Sequence, residues 1–505
     1  MFRKMENQLY LEEFNLPFEG KLRADNRWVK LSNSIPWATI EERYADLFPS
    51  HRGQKAKPVR MALGALIIKE KCGYTDRETV EQITENPYLQ FFIGLKEYQD
   101  RPPFDPSLMV HFRKRFGTEV LKDINEEICQ AARKAEEQKD DDDNKPEPPS
   151  GGHKTEESNN PKRKGSSFIT YPVNQGKLIL DATCTPADIR FPTDISLLNE
   201  AREKLDDIID IVHKTLGKPG KRPRTYRQIA RKAFLSIAKN KKPGKKGIRK
   251  AVGKQLRYVR RNLGAVDRLL AAAGDGHGLS QKHLETLSTI RVLYKQQLSM
   301  YNNRTHKIPD RVVSISQPHV RPIVRGKAAA DVEFGAKVAI SIVDGYTYIE
   351  TLSWDAFNEG TTLVESIESY RERYGHYPAV VQADKIYRNR KNLQYCEGHD
   401  IRLSGPRLGR PPADKEKQKE QKRLERQDAS ERNAVEGKFG EGKRRYGLAR
   451  IMARLKETAE SEIYLQFLVM NLEHRLRVLF SFFLRHLFRH NLLFVRPNFW
   501  CFIEN

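Results

Sequence analysis

Cysteine is scarce and poorly spaced for structural chemistry. The chain has five (Cys72, Cys129, Cys184, Cys396 and Cys501), an odd number, far apart and never in a Cys-x-x-Cys pair. That pattern argues against a disulfide framework and a zinc ribbon, and a reducing cytoplasm fits it best. Long apolar runs are missing too: charges interrupt every apolar segment well before the roughly 20 residues needed to cross a bilayer. The opening Met-Phe-Arg-Lys-Met-Glu-Asn has no apolar signal region, so secretion and membrane spanning are disfavoured. Acids are absent from one long stretch, Lys214 to Arg261, which holds nineteen Lys or Arg in forty-eight residues.

That stretch alone supplies +19 of the net charge of +24. It interleaves Tyr226 and Tyr258 with Arg222, Arg224, Arg227, Arg257, Arg260 and Arg261, at spacings that a helix sorts onto separate faces. It reads as a basic helical domain with its own core. Polyphosphate is the favoured partner, because each neutralised phosphate releases condensed counterions. An anionic membrane surface and a plain solvated charge run are the weaker readings. At 505 residues with 38% hydrophobic content, the chain exceeds one core and should form two to four folding units.

Residues 1–135 read as an N-terminal helical domain. Met61–Ile68 closes at Gly73, Thr75 and Glu78 have capping-box spacing, and Asp105-Pro106 has the form of an N-cap before a proline. Helices joined by a Gly turn suit a helix-turn-helix-like module, with Arg113, Lys114 and Arg115 either reading a DNA groove or serving a scaffold. Residues 136–167, with Asp140–Asp143 and Pro, Gly and Ser tracts, read as a disordered linker. A buried-type strand follows at Lys177–Cys184, then a basic helical insertion over 197–309. Strand signals resume at Glu333–Val343, with an Asp344-Gly345 hairpin and Tyr346–Leu352. A helix over Leu363–Tyr374, strands at Ala379–Gln382 and near Ile401–Leu403, and long helices from about Asp428 to Glu473 complete the pattern. This is an α/β domain with a mixed sheet, interrupted after its first strand (168–196 and 310–473), ahead of an amphipathic tail over 474–505. The tail is expected to pack on the domain or on a partner helix, not on a membrane.

Two buried-type strands each end in an aspartate, Asp181 and Asp384. Ligands collect at the carboxyl ends of strands in open α/β sheets, so these two acids could share a hard divalent ion. A third acid is then needed. On an ideal helix Arg432, Glu436 and Lys443 fall within a wedge of about 40°, which places a carboxylate for metal between two cations for phosphate. The plain alternative is a surface helix with Arg–Glu pairing. Gly437, Gly440 and Gly442 weigh against it, at about 1 kcal/mol each.

Asp181-Ala-Thr, Val332–Lys337, Ala383-Asp-Lys-Ile-Tyr-Arg388, Arg432-Asn-Ala-Val-Glu436 and Gly437–Lys443, together with Gln317–Lys327, resemble DDE transposases of bacterial insertion sequences, specifically the insertion-sequence-five superfamily. The resemblance covers nearly the whole chain. It implies a ribonuclease-H-like catalytic domain in which Asp181, Asp384 and Glu436 bind two Mg²⁺ or Mn²⁺. The family pattern Tyr-x2-Arg-x3-Glu-x6-Lys is met at Arg432, Glu436 and Lys443, while its tyrosine position holds Ala429. Thr183 and Arg388 flank the ligands. The implied activity is cleavage at terminal inverted repeats and strand transfer into target double-stranded DNA, by a homodimer in the bacterial cytoplasm, associated with the nucleoid. A DNA-binding regulator without catalysis and a nuclease that does not join strands are the alternatives.

Overall fold

The structure, a computed structural model, describes residues 17–48, 55–143, 173–217, 220–327, 330–406 and 415–489. Among these, seven helices precede the sheet: α1 (Arg27–Ser34), α2 (Trp37–Asp46), α3 (Val59–Cys72), α4 (Asp76–Glu85), α5 (Pro87–Phe92), α6 (Leu108–Arg115) and α7 (Thr118–Asp143). Thr75 and Glu78 form the expected capping box on α4. Asp105 does not cap α6 directly: its carboxylate accepts the Ser107 N–H at 2.8 Å in a turn that delays the helix to Leu108. α7 continues to Asp143, past the expected boundary at 135. Its Leu121, Ile124, Ile128 and Ala132 are buried, and Glu136 accepts from Tyr346 at 2.8 Å and pairs with Arg475 at 2.6 Å. Those anchors keep helical a segment whose composition alone reads as linker. The rest of the expected linker, from 144 on, lies outside the described residues, as do 490–505 of the expected tail.

β1 (Lys177–Pro186) opens the sheet and is followed by α8 (Asp194–Thr215), α9 (Arg227–Ala238), α10 (Lys245–Ala273) and α11 (Gln281–Asn303). The sheet resumes with β2 (Arg321–Lys327), β3 (Ala330–Val343) and β4 (Tyr346–Ser353). After them come α12 (Leu363–Tyr374), β5 (Val380–Gln382), α13 (Arg390–Gly398), β6 (Arg402–Leu403), α14 (Lys415–Arg445) and α15 (Lys456–Arg489). The strand order is β2-β3-β1-β5-β6, with β4 also paired to β3. β1 runs antiparallel to β3 and parallel to β5, and β5 runs parallel to β6. The fold is therefore mixed α/β, mostly helical, around one mixed sheet. β2 is an addition to the expected strands. Pro322 removes a ladder donor, which an edge strand tolerates. Asp344 and Gly345 turn the β3–β4 hairpin with φ of 50° and 82°, the left-handed pair that a two-residue I′ turn requires.

Three apolar clusters hold these elements. The first joins α1–α7 to one face of the sheet and to α14 and α15, through residues such as Leu66, Phe92, Ile340, Val435 and Phe467. The second belongs to α8, α10 and α11, with Leu205, Leu256, Val266 and Ile290 at its centre. The third lies on the other sheet face under α12 and α13. β4 would present unpaired backbone at an edge. Asn471 of α15 covers it: its side-chain oxygen accepts the Thr347 N–H at 2.8 Å, and its amide donates to the Thr347 carbonyl at 2.7 Å and to Asn125 of α7 at 2.8 Å. The four described cysteines are free thiols. Among the described residues no helix is long and apolar enough to cross a membrane.

Candidate active site

Asp181 lies midway along β1, opposite Ile340 of β3, and its carboxylate accepts the Ala182 N–H at 2.8 Å. On the other side, the parallel β1–β5 register pairs Ile179 with Gln382. Continued along the strands, that register sets Asp384 level with Asp181. Asp384 leaves β5 and caps a tight turn over Lys385–Tyr387, accepting the Lys385 N–H at 2.7 Å. Arg388 fixes this turn to the end of β6, donating to the carbonyls of Leu403 at 2.8 Å and Ser404 at 2.7 Å.

The two aspartates feel each other. Burial pushes the Asp181 carboxyl up to about 6; the Ala182 amide and Arg432 pull it back, while the carboxylates of Glu359 and Asp384 add to the rise. Arg432 comes from α14, which is pinned across the sheet at the preceding residue. There Glu431 accepts from Lys177 at 2.7 Å and Gln382 at 2.6 Å. Lys177, Gln427 and Gln382 hold the Glu431 carboxyl down at about 2. Asp428 forms a two-pronged pair with Arg402 at 2.6 and 2.8 Å. Val435 and Phe439 bury the inner face of the helix.

Glu436 lies one turn beyond Arg432 and is exposed, and Lys443 is partly buried near the helix end. Asp384 and Arg432 thus stand within electrostatic reach of Asp181. Among the described residues no three His, Cys, Asp or Glu side chains stand close enough to hold a metal ion. Glu359 is the acid that sequence reasoning missed. It precedes α12 in an Asn-Glu-Gly turn, and its nearness to Asp181 arises only from folding. Thr183 is buried in β1.

The expected DNA contacts divide sharply. Arg113 is committed inside the fold, gripping Asp76 of α4 with both guanidinium nitrogens at 2.7 and 2.6 Å, which corrects its assignment to a groove. Arg388 is corrected likewise, since the two carbonyls at the end of β6 hold it. Arg115 stacks over Phe48 at 4.2 Å, whereas Lys114 is exposed. In the basic insertion Arg222 and Arg227 pair with Asp210, and Arg261 lies over the rings of Tyr226 and Tyr258. Arg224, Arg257 and Arg260 are exposed.

Two stretches of the chain match known families. Residues 381–473, which contain Asp384, Arg432, Glu436 and Lys443, match the family described as "Transposase DDE domain". Over these residues the chain carries a DDE transposase domain. Residues 16–115 match a second family, "Transposase domain (DUF772)", which covers α1 to α6. A curated relative, "Uncharacterized protein ORF8 in nfe locus" of Rhizobium meliloti, is 35% identical over 104 residues, which is 21% of this chain and 50% of that protein. The chain therefore spans about half the length of that relative. No solved structure matches it.

Proposed function

We propose that the chain is a transposase of the insertion-sequence-five superfamily that cuts phosphodiesters at terminal inverted repeats and joins the freed 3′-hydroxyl to target DNA. The observation that carries this reading is the side-by-side placement of Asp181 and Asp384 at adjoining parallel strands, within a chain whose DDE-domain match includes Asp384. The strand arrangement supports a ribonuclease-H-like domain: a long antiparallel hairpin beside β1, then two short parallel strands on its other side.

Asp181 and Asp384 are the type of donor a hard divalent cation takes, although among the described residues no third acid is grouped with them. Asp181 and Asp384 are oxygen ligands, and the carboxylates around Asp181 outnumber the one cation, Arg432, that acts on it. Asp181, Asp384 and Glu436 would hold two Mg²⁺ or Mn²⁺. When bound, such ions supply a water of lowered pKa and neutralise charge on the phosphodiester. The protein's own residues position the strand: Arg432 and Lys443 bind phosphate, and the exposed arginines of α10 bind flanking duplex. Both steps are in-line displacements at phosphorus, so one site serves cleavage and joining. The working form is a homodimer that pairs two element ends on double-stranded DNA in the bacterial cytoplasm.

The test uses labelled duplex carrying the terminal repeat of the element that encodes the chain. Wild type with Mg²⁺ should nick the end and give a joined product, and Asp384→Asn should give neither. Nicking without joining would identify a nuclease. Binding without nicking in either protein would leave a regulator and overturn the proposal.

A further inference from the structure

α9 is thinly covered for a helix of its composition. Ile229, Ala233 and Ile237 recur at intervals of four, with Ala230 and Phe234 beside them, so they share one face. Only Ala230 of the helix is buried. Ile229 is 57% exposed, and Phe234 and Ile237 are partly exposed. Among the described residues, none of the three apolar clusters takes in Ile229, Phe234 or Ile237. Polar contacts hold the helix instead: Arg227 pairs with Asp210 at 2.7 Å, and Gln255 donates to the Ala230 carbonyl at 3.1 Å. Arg231, Lys232 and Lys239 flank the apolar face, and no acid falls between Arg227 and Lys250. Phosphate contact explains the cations but gives no use to Ile229 and Phe234.

The complementary arrangement occurs at the β6 edge of the sheet. α13, β6 and the first half of α14 border an open groove of about 830 Å³. Leu393, Ile401, Leu403 and Leu424 line it with apolar surface, and Leu424 is 38% exposed. Four acids, Glu397, Glu420, Glu425 and Asp428, stand there against Arg388 and Arg402. Both arginines are already engaged, Arg388 by the carbonyls of Leu403 and Ser404 and Arg402 by Asp428. Glu397, Glu420 and Glu425 therefore set the sign of the rim, in a chain whose net charge is +24. Such a groove repels a phosphate backbone. It suits a short amphipathic helix of positive charge, whose apolar anchors three and four residues apart enter the groove while its cations meet the rim.

We propose that α9 of one chain docks in the groove between α13, β6 and α14 of a second copy, with Ile229 and its neighbours on the apolar lining and Arg231 and Lys232 against the acidic rim. Charge complementarity selects this occupant: the helix is basic and the groove acidic, and each leaves apolar surface uncovered. The contact joins unlike surfaces, so a dimer closes when each chain both gives its helix and receives the other's. Arg388 lines the groove and also holds the turn that carries Asp384, which sets the partner's helix beside the support of the candidate site. The inference gives a contact to the homodimer of the reading above, and it needs neither the metal nor the cleavage step of that reading.

The test is self-association of the full chain without DNA, measured by sedimentation equilibrium at low salt. Wild type should dimerise, and less so as salt rises. Ile229→Glu on the helix and Leu424→Arg in the groove change exposed side chains, and each should weaken association by about 10- to 100-fold with circular dichroism unchanged. A cysteine trap identifies the surfaces. Ile229→Cys and Leu424→Cys are placed in chains with tags of different length, mixed and oxidised; a disulfide should join the two kinds of chain, above the background that either variant gives alone. A wild type that stays monomeric, a variant that associates as wild type does, or a mixture without the unlike-chain disulfide overturns the proposal. So does a cross-link of Ile229→Cys to its own kind, which pairs α9 with α9. Should Ile229→Glu lower affinity for duplex DNA or phosphatidylglycerol vesicles and leave association unchanged, α9 serves that surface and the proposal falls. None of these results bears on Mg²⁺-dependent nicking, so the reading of the active site stands or falls separately.

Discussion

The helices of α1–α7 and those of α8–α11 are both all-helical additions to one sheet, but they are attached in different ways. The first group shares its apolar cluster with the sheet and α15; the second closes over a cluster of its own. Their charges differ in the same sense. Arg113 in the first group is spent on Asp76, whereas α10 in the second exposes Arg257 and Arg260. A region that completes the core of the catalytic sheet cannot be loosened without loosening the site. A region with a separate core can change its surface, or its angle, at little cost to Asp181 and Asp384.

The largest effect should come from breaking the shared cluster. Phe467→Ala should cost about 3 to 5 kcal/mol and lower the stability of α3, α7 and β3 together, as read by hydrogen exchange. Leu205→Ala, in the separate cluster, should cost about 2 to 5 kcal/mol, with exchange rising in α8, α10 and α11 while β1 and β3 stay protected. Equal loss of protection everywhere would erase the distinction between the two regions. Asn471→Ala leaves the Thr347 N–H buried without a partner and its carbonyl with only the Asn125 amide, at 3.2 Å, which should cost about 1 to 3 kcal/mol and be felt first at β4.

One pH dependence should belong to the shared cluster. Glu462 of α15 is pushed up to about 7, from an ordinary value of 4.5, by burial and then by the Glu70 carboxylate, with Lys69 opposing. Between those two values the folded chain keeps a proton that the unfolded chain has released. Stability is therefore fully present below about 4.5 and falls as pH rises towards 7. Glu462→Gln should flatten that fall in denaturant melts, and the melting of α8–α11 should be indifferent to it. The smallest effect concerns the exposed arginines. Replacing Arg257 and Arg260 by Ala should reduce the slope of log affinity for duplex DNA against log salt by about 2, without shifting the melting temperature.

Where structure follows from neighbours in sequence, it was legible. The Thr75–Glu78 cap, the Asp344-Gly345 turn and the limits of α12 at Leu363 and Tyr374 obey rules that act over a few residues. The neighbouring positions of Asp181 and Asp384 could be anticipated because each follows an apolar run, although β1 continues past Asp181 to Pro186. Three features were not. β2 begins at Arg321-Pro322 and has no clean alternation, so only its partner β3 makes it a strand. Arg113 looks like any basic helix residue until Asp76 is folded against it. Glu359 lies far from both aspartates along the chain, and nothing local distinguishes it from other surface acids.

The glycines of α14 carry one more consequence. At Gly442 a side chain would collide with Leu448 and Met470, whereas the space around Gly437 is open. Breeding variants of this chain under selection for a stiffer fold should therefore leave 442 untouched and readily settle alanine at 437, gaining about 0.5 to 1 kcal/mol of helix preference. Close packing at Gly442 thus brings α14, the helix that also carries Arg432 and Glu436, against Leu448 and against Met470 of α15.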